Sequence, residues 1–320
     1  MITSREKIHI LPEKGNFYKA ALHGHSVLSD GALTKEEIKA IYKRDGFQVI
    51  SYTDHRVYSL SSRLNEPDFL VLGGYELDYL CTEGRCAVHL CAIAKEPGAV
   101  AQEPGYGELT EENLLKSVIA LKENGFLVHL NHPVWSNMSM ELMMLLSGWL
   151  DGIEVYNTLG ARLEGYDGDL AYYAYFVRNR GRALPLMTDD CHENPALGGQ
   201  PTEYGKAFTM IKAPELTYTA ITGALANGYA YSSNGPLIHA FYICDGKLCL
   251  DCSPVSDVYA IDAALCCPPE HRRHAEGDEI THAEFDIQSF RRRSEYAWLR
   301  IRDAEGRFAC LAPVYFDEYV

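Results

Sequence analysis

The sequence has 320 residues, of which 47% are hydrophobic and 23% are charged, so the chain can bury a large core and is long enough for two domains. Its formal net charge of −15 argues against a general nucleic-acid-coating protein, because an acidic surface repels phosphate backbones at long range. Residues 1–16 lack the apolar region of a signal peptide, and no apolar segment approaches the roughly 20 residues that span a bilayer. We therefore expect a cytoplasmic protein with reduced cysteines and no membrane partner.

Short β-rich segments alternate with helical patterns through the first two thirds of the chain. The predicted strands are 18–25, 48–53, 70–76, 87–94, 125–130, 152–157 and 183–188. The predicted helices are 34–44, which opens with a capping box from Thr34 to Glu37, 110–124, 140–149 and 170–179. This alternation predicts an α/β fold with a parallel sheet, and seven strands favour a closed barrel with its site at the carboxyl ends of the strands.

The pattern changes at Gly235-Pro236, after which short β-like segments follow one another without intervening long helices. These predicted strands are 237–244, 247–252, 258–264, 283–290, 297–302 and 308–316. The Asp245-Gly246 pair between the first two is typical of a hairpin turn. The sequence therefore predicts a barrel domain over 1–235 and a small antiparallel, sandwich-like β domain over 236–320.

Most of the predicted barrel strands carry an imidazole or a carboxylate at or near one end. These candidate ligands are His23, His25, Asp30, His55, Glu76, His89, His132, Asp190 and His192. Each has a structural alternative when taken alone, such as a buried, hydrogen-bonded His89 or an Asp30 that only forms a turn. Their joint position at strand ends is better explained by one shared site.

Metal ions account for such a cluster in terms of charge. Two carboxylates 4 Å apart repel by about 4 kcal/mol at an effective dielectric of 20, so Asp30, Glu76 and Asp190 require neutralisation if they converge. His23 and His25 are two residues apart in an extended segment and can bind one ion together. Mixed nitrogen and oxygen ligands suit zinc, manganese or iron and do not suit calcium.

The same motifs, in their order and spacing, resemble the PHP (polymerase and histidinol phosphatase) superfamily over roughly residues 18–235. The motifs are His23-x-His25, Ser29-Asp30-Gly31, Thr53-Asp54-His55, Glu76, His89, His132-Pro133 and Asp190-x-His192. The resemblance implies a distorted seven-stranded (β/α)7 barrel. The Gly-Pro at 235–236 and the β-rich segments after it resemble a two-domain branch with a C-terminal β domain.

The resemblance also implies a division of the ligands among two or three divalent ions. One ion would be held by His23, His25, Glu76 and Asp190, and Glu76 would bridge to a second ion at His89 and His132. A third would be held by Asp30, His55 and His192, although some members of the superfamily have histidine in place of Asp30. His129 is a rival for His132, and the His-Pro pairing favours His132.

These observations predict a hydrolase in which a hydroxide that bridges the ions attacks a small phosphate ester, such as a nucleotide or sugar phosphate. The substrate is then a small, anionic molecule, and Asn157 and Arg56 are candidates for binding it. One alternative is a hydrolase of non-phosphate esters, amides or carbamates. A second is an exonuclease on short oligonucleotides, and a third is an inactive barrel that serves only for binding.

Overall fold

The computed structural model of the protein describes residues 7–80, 86–100, 110–165, 168–179, 181–193, 203–263 and 268–319. The strands before residue 235 are β1 (Ile8–His9), β2 (Asn16–Ala21), β3 (Val49–Ser51), β4 (Leu70–Leu72), β5 (Gly74–Leu80), β6 (Ala87–Ala94), β7 (Phe126–Leu130), β8 (Gly152–Asn157), β9 (Leu184–Thr188), β10 (Phe208–Ala213) and β11 (Ala230–Ser233). The later strands are β12 (Ile238–Cys244), β13 (Lys247–Val255), β14 (Asp257–Ile261), β15 (Arg272–His274), β16 (Ile280–Asp286), β17 (Tyr296–Arg302), β18 (Phe308–Leu311) and β19 (Val314–Tyr315).

The helices are short and lie mainly between the strands of the first two thirds of the chain. They are α1 (Lys35–Arg44), α2 (Glu111–Glu123), α3 (Met140–Leu145), α4 (Thr158–Glu164), α5 (Asp169–Arg178), α6 (Tyr218–Ala226) and α7 (Ile287–Arg291). The predicted capping box is present at α1, where Thr34 accepts from the backbone of Glu37 and the Glu37 side chain bonds back to Thr34. None of the helices in these ranges is long and apolar enough to cross a membrane.

Two sheets carry strands β2 to β11. One is five-stranded in the order β5-β6-β7-β8-β9, and the other includes the run β11-β10-β2-β3-β4 within a ten-stranded sheet. The pairs β2–β3, β3–β4, β7–β8 and β8–β9 are parallel. Their carboxyl ends therefore lie on the same edges, where the loops after them can meet.

The fold is mixed α/β as predicted, but it is not an all-parallel closed barrel. The pairs β5–β6 and β6–β7 are antiparallel, and β10 and β11 are antiparallel strands that the sequence analysis did not identify. Within the described ranges the two sheets do not close into one hydrogen-bonded ring. They approach through isolated bridges, Gly24 with Cys191 and His55 with Glu76. The seven-stranded (β/α)7 barrel is therefore not confirmed.

The C-terminal segment is β-rich, as predicted, and forms two layers. One layer is the four-stranded sheet β1-β12-β13-β16, and the other is the part of the ten-stranded sheet that contains β14, β17 and β18. Phe241 and Phe285 of the first layer share a buried cluster with Leu299 of the second. The ten-stranded sheet also continues across residue 235, because β11 pairs with β18. The division into 1–235 and 236–320 stays a prediction.

Helices cover the outer face of the five-stranded sheet and bury its strands away from solvent. All eight residues of β6 and all five of β7 are buried. Leu114 and Val118 of α2 and Phe176 of α5 belong to the same apolar cluster as these strands. Burial of this apolar face holds the strands in place, and the polar loops begin at the ends of these strands.

Candidate metal centre

The structure brings the nine predicted ligand residues together at the edge where the loops after the strands meet. His23 and His25 follow β2, His55 follows β3, His132 follows β7, and Asp190 and His192 follow β9. Glu76 and His89 lie within β5 and β6, and Asp30 lies in the loop that leads to α1. Ligand atoms within 4.8 Å of one another form four groups: His25, Asp30, His55 and His192; His23, Glu76 and His132; His23, His25 and Asp190; His55, Glu76 and His89.

These groups overlap with the ligand sets implied by the resemblance but do not reproduce them. Asp30, His55 and His192 stay together, and His25 joins them. Glu76 belongs to two groups, which suits a bridging carboxylate, although its partners are His23 and His132 in one and His55 and His89 in the other. The assignment of particular ligands to particular ions stays a prediction.

The separations between ligand atoms suit coordination of an ion. Nitrogen or oxygen atoms about 2.1 Å from one ion lie roughly 3.0 Å apart at an octahedral angle and roughly 3.4 Å apart at a tetrahedral angle. His23 Nε2 lies 3.3 Å from His25 Nε2 and 3.2 Å from both Glu76 Oε1 and Asp190 Oδ1. His25 Nε2 lies 3.1 Å from Asp190 Oδ1.

Several buried polar atoms in this cluster make no hydrogen bond within the described residues. They are His55 Nδ1, Glu76 Oε2, His89 Nδ1 and Asp190 Oδ1. Each nevertheless lies close to another ligand-type atom, as His55 Nδ1 does at 3.1 Å from Glu76 Oε2 and His89 Nδ1 at 3.2 Å from Glu76 Oε1. Buried polar groups normally have partners, so these atoms fit ligands of cations.

Hydrogen bonds behind the histidines fix which ring nitrogen faces the cluster. His23 Nδ1 donates to Glu154 Oε1 at 2.7 Å, and His192 Nδ1 donates to the Asp190 carbonyl at 2.9 Å. His132 Nδ1 lies 3.1 Å from Ser136 Oγ. The Nε2 atoms of these rings are thereby directed at the cluster, which is the support that metal-binding histidines usually receive.

Glu154 is a functional residue that the sequence analysis missed. It lies on β8 with 1% of its surface exposed. Its Oε1 accepts from His23 Nδ1 and from Thr188 Oγ1 at 2.5 Å, and its Oε2 accepts from the His132 backbone N–H at 2.8 Å and from Asn157 Nδ2 at 2.9 Å. One buried carboxylate therefore positions two candidate ligands, His23 and His132. The signal in the sequence was an acidic residue inside an otherwise apolar strand.

The loops that carry the ligands include residues in unfavourable backbone conformations. His132 and Asp190 have positive φ values of 24° and 51°, which residues other than glycine rarely adopt. A strained backbone of this kind persists only where the surrounding contacts hold it in place, and such strain is concentrated at functional sites. Gly31, next to Asp30, has no room for a side chain, because a Cβ there would lie 2.3 Å from the His25 carbonyl oxygen.

The charges of the cluster favour cations. Burial alone raises the pKa of the Glu76 carboxyl, but His23 and His89 hold it well below its usual range. Burial alone lowers the pKa of His25, but the neighbouring Asp190 and Glu76 carboxylates raise it to about 9. These carboxylates therefore produce a negative potential strong enough to hold positive charge in a buried place.

The two predicted substrate-binding residues and the rival histidine lie outside the cluster. Asn157 is buried behind it, where Nδ2 donates to Asp190 Oδ2 at 3.2 Å and Oδ1 accepts from Gly160 N at 2.8 Å. Arg56 is partly exposed and donates to both carboxylate oxygens of Asp78. Their roles toward substrate stay predictions. His129 is buried on β7 and belongs to none of the ligand groups found in the described residues.

A cavity of about 120 Å³ opens beside the ligands. Its polar floor includes Asp30, His55, Glu76, His89, His132, Asp190 and His192. Its other lining residues are Trp135, Leu159, Gly160 and Leu163, and no lysine or arginine lines it in the described part of the chain. The cavity therefore combines a polar, ligand-rich floor with an apolar wall.

Comparison with known proteins gives matches at the level of structure. No protein-family model matches the sequence, and no curated protein matches it. The chain is similar to a two-domain protein from Bacteroides vulgatus that contains a predicted PHP-like metal-dependent phosphoesterase, with 17% identity and a TM-score of 0.51 over 98% of this chain and 100% of that chain. At the level of the fold, this similarity confirms the predicted PHP resemblance.

Two further solved structures are similar over a smaller part of the chain. One is a provisionally described metal-dependent phosphoesterase from Bifidobacterium adolescentis, with 16% identity and a TM-score of 0.41 over 59% of this chain and 90% of that chain. The other is an amidohydrolase from Chromobacterium violaceum with bound sulfate and no metal, with 18% identity and a TM-score of 0.39 over 54% of this chain and 87% of that chain.

Proposed function

We propose that this chain, whose fold matches a PHP-like two-domain structure over 98% of its length, is a metal-dependent hydrolase that cleaves a small phosphate ester. The observation that carries the proposal is the convergence of nine imidazole and carboxylate side chains from distant parts of the sequence into overlapping ligand groups. Mixed nitrogen and oxygen ligands at these separations suit two or three ions of zinc, manganese or iron.

The residues of the chain would divide the work as follows. Divalent ions bound here would supply a water molecule of lowered pKa and Lewis-acid stabilisation of charge on the substrate. His23, His25 and Asp190 would hold one ion, and Glu76, which belongs to two of the ligand groups, would help to hold more than one. Glu154 would keep the Nδ1 proton on His23, so that Nε2 keeps its lone pair for an ion.

A second candidate function is hydrolysis of a non-phosphate ester, amide or carbamate with the same ions. The apolar wall favours it, because the described lining offers Trp135, Leu159 and Leu163 but no lysine or arginine that could bind phosphate oxygens. A basic track for oligonucleotides is likewise missing from this lining, and the net charge is −15, so the exonuclease hypothesis has less support.

Metal analysis followed by a substrate panel tests the proposal. The protein is purified, its metal content is measured, and hydrolysis is followed with p-nitrophenyl phosphate, bis-p-nitrophenyl phosphate, p-nitrophenyl acetate and a short RNA. We expect two or three equivalents of metal, and turnover of a phosphate ester that a chelator abolishes and added metal restores. Hydrolysis of the acetate alone would replace the first candidate with the second, and a chain that binds no metal would contradict both.

A further inference from the structure

The apolar wall of the cavity comes from two segments of the chain that line the same cavity as the ligands. Trp135 lies in the turn that follows His132, and Leu159 and Leu163 lie on α4, which begins directly after Asn157. Leu159 and Leu163 are four residues apart on a helix and therefore share one face. The tryptophan and this face therefore border the same cavity as seven of the candidate ligands.

Trp135 is held rigidly enough to act as a platform. Its ring meets the imidazoles of His132 and His89 edge to face, with centroid distances of 5.1 and 5.6 Å. Backbone hydrogen bonds from Ser136 to His132 and from Met138 to Pro133 close the turn that carries it. Even so, 44% of Trp135 is exposed, as is 47% of Leu163. Two large apolar side chains thus face solvent together beside the polar floor, which is the arrangement expected of a binding surface.

The residues that line the cavity also indicate which chemical groups are missing from the part of the substrate that binds there. Apart from the ligand-type residues, the described lining consists of one indole, two leucines and one glycine. Hydroxyl groups of a sugar would find few hydrogen-bond partners there, and buried unpaired hydroxyls are costly. A flat apolar ring, in contrast, can stack on the indole and pack against leucine. Apolar cavities of about 150 Å³ accept a benzene ring, and this cavity has about 120 Å³ and opens to solvent.

We propose that the natural substrate carries an aromatic or similarly flat apolar group next to the bond that is cleaved, bound between Trp135 and Leu163. This inference deepens the proposed function and rests on it, because it assumes that the reacting group lies on the ligand cluster. Binding of the ring between these side chains would favour substrates that carry the apolar group. The ions would bind the polar end of the substrate.

Benzyl phosphate and ethyl phosphate separate this proposal from the proposed function. Their leaving alcohols have similar acidities, so a difference in kcat/KM reports the apolar group. We expect the metal-loaded protein to prefer benzyl phosphate by on the order of 10- to 100-fold, from the area of a phenyl ring removed from water. Trp135→Ala and Leu163→Ser should each reduce this preference, and Trp135→Phe should retain most of it. Leu237→Ser is the matched control. Leu237 is an exposed leucine as well, with 38% of its surface accessible, but it lies next to β12.

A binding measurement keeps the proposal testable if turnover fails. The affinities of benzylphosphonate and ethylphosphonate, which are not hydrolysed, are measured by calorimetry on the metal-loaded protein and on its Trp135→Ala and Leu163→Ser variants. Preferential binding of benzylphosphonate that depends on Trp135 supports the subsite, even if neither phosphate ester is cleaved and the phosphoesterase function is wrong. Equal binding of the two phosphonates, or a preference that Trp135→Ala and Leu163→Ser both leave intact, overturns the subsite, even if both esters are cleaved.

Discussion

Replacement of Glu154 by glutamine removes a charge without changing the shape of the side chain, yet we expect a large effect. All four groups that bond to the Glu154 carboxylate are donors: His23 Nδ1, Thr188 Oγ1, the His132 backbone N–H and Asn157 Nδ2. A glutamine NH₂ must therefore face two donors, whichever way the amide is turned. The backbone N–H of His132 cannot reverse its role, so the NH₂ should turn toward His23.

His23 can accept from that NH₂ only if its proton moves from Nδ1 to Nε2. Nε2 is the atom that lies 3.2 Å from both Glu76 Oε1 and Asp190 Oδ1, so the proton would occupy the position from which His23 binds an ion. Loss of such support behind a ligand typically weakens metal binding 10- to 100-fold, or about 1.4–2.8 kcal/mol. We expect Glu154→Gln to fold and to lose metal affinity in this range.

Competition against a chelator measures this affinity, and ¹⁵N NMR of the imidazoles of the metal-free protein reports the tautomer of His23. Asp151→Asn is the matched control, because Asp151 is an acidic residue at the start of the same strand. Its carboxylate accepts from the Val128 N–H, and this hydrogen bond involves no candidate ligand. A Glu154→Gln protein with unchanged affinity and an Nδ1-protonated His23 would refute the reasoning.

Three further predictions concern single residues. Glu76→Gln should remove at least one metal equivalent per chain, measured by elemental analysis, and lower hydrolysis by at least about 100-fold, because a neutral amide cannot bridge cations; a fully loaded, active variant would exclude bridging. Gly31→Ala should displace Asp30, because its Cβ would lie 2.3 Å from the His25 carbonyl, and should cost about 1–3 kcal/mol in urea unfolding together with metal content; unchanged values would show that the loop yields freely. Burial lowers the pKa of His129 to about 4, so between about pH 4 and pH 6.5 the unfolded chain binds a proton that the folded protein does not. His129→Leu should therefore remove a stability loss of about 2 kcal/mol at pH 5 and almost nothing at pH 7 in the metal-free protein, and an unaltered pH dependence would contradict this assignment.

Most strands before residue 190 were predictable because their apolar runs are distinct, whereas β10, β11 and the directions of the strands were not. A strand buried on both faces, such as β6 or β7, has the same pattern in a parallel or an antiparallel sheet. One signal was present: ten residues separate the predicted strands 70–76 and 87–94, and six separate Leu80 from Ala87 in the structure, whereas a parallel connection needs a dozen or more. The antiparallel pairing of β5 and β6 follows from that short connection.

The ligand residues were predictable from their position at strand ends, but the parts that support and surround them were harder to find. Glu154 could have been identified, since a carboxylate inside the apolar strand Gly152–Asn157 must have buried partners. The wall formed by Trp135 and Leu163 could not, because it depends on where α4 lies relative to the turn after His132. That placement is set by tertiary contacts, including the hydrogen bond that Asn157, the N-cap of α4, donates through Nδ2 to Asp190 Oδ2.

The arrangement separates the residues of the cluster from the residues that would recognise the substrate. His132 and Asp190 follow buried strands, and each is held by a buried side chain: the His132 backbone N–H donates to Glu154, and Asn157 donates to the Asp190 carboxylate. Trp135 lies three residues after His132 in a turn, and Leu163 lies near the end of the short helix α4, and both side chains are about half exposed. Substitution at these outer positions removes no hydrogen bond that holds a ligand. A fold of this kind can therefore change the group it accepts while it keeps its ions, which is why the apolar wall, rather than the ligand cluster, carries the information about the substrate.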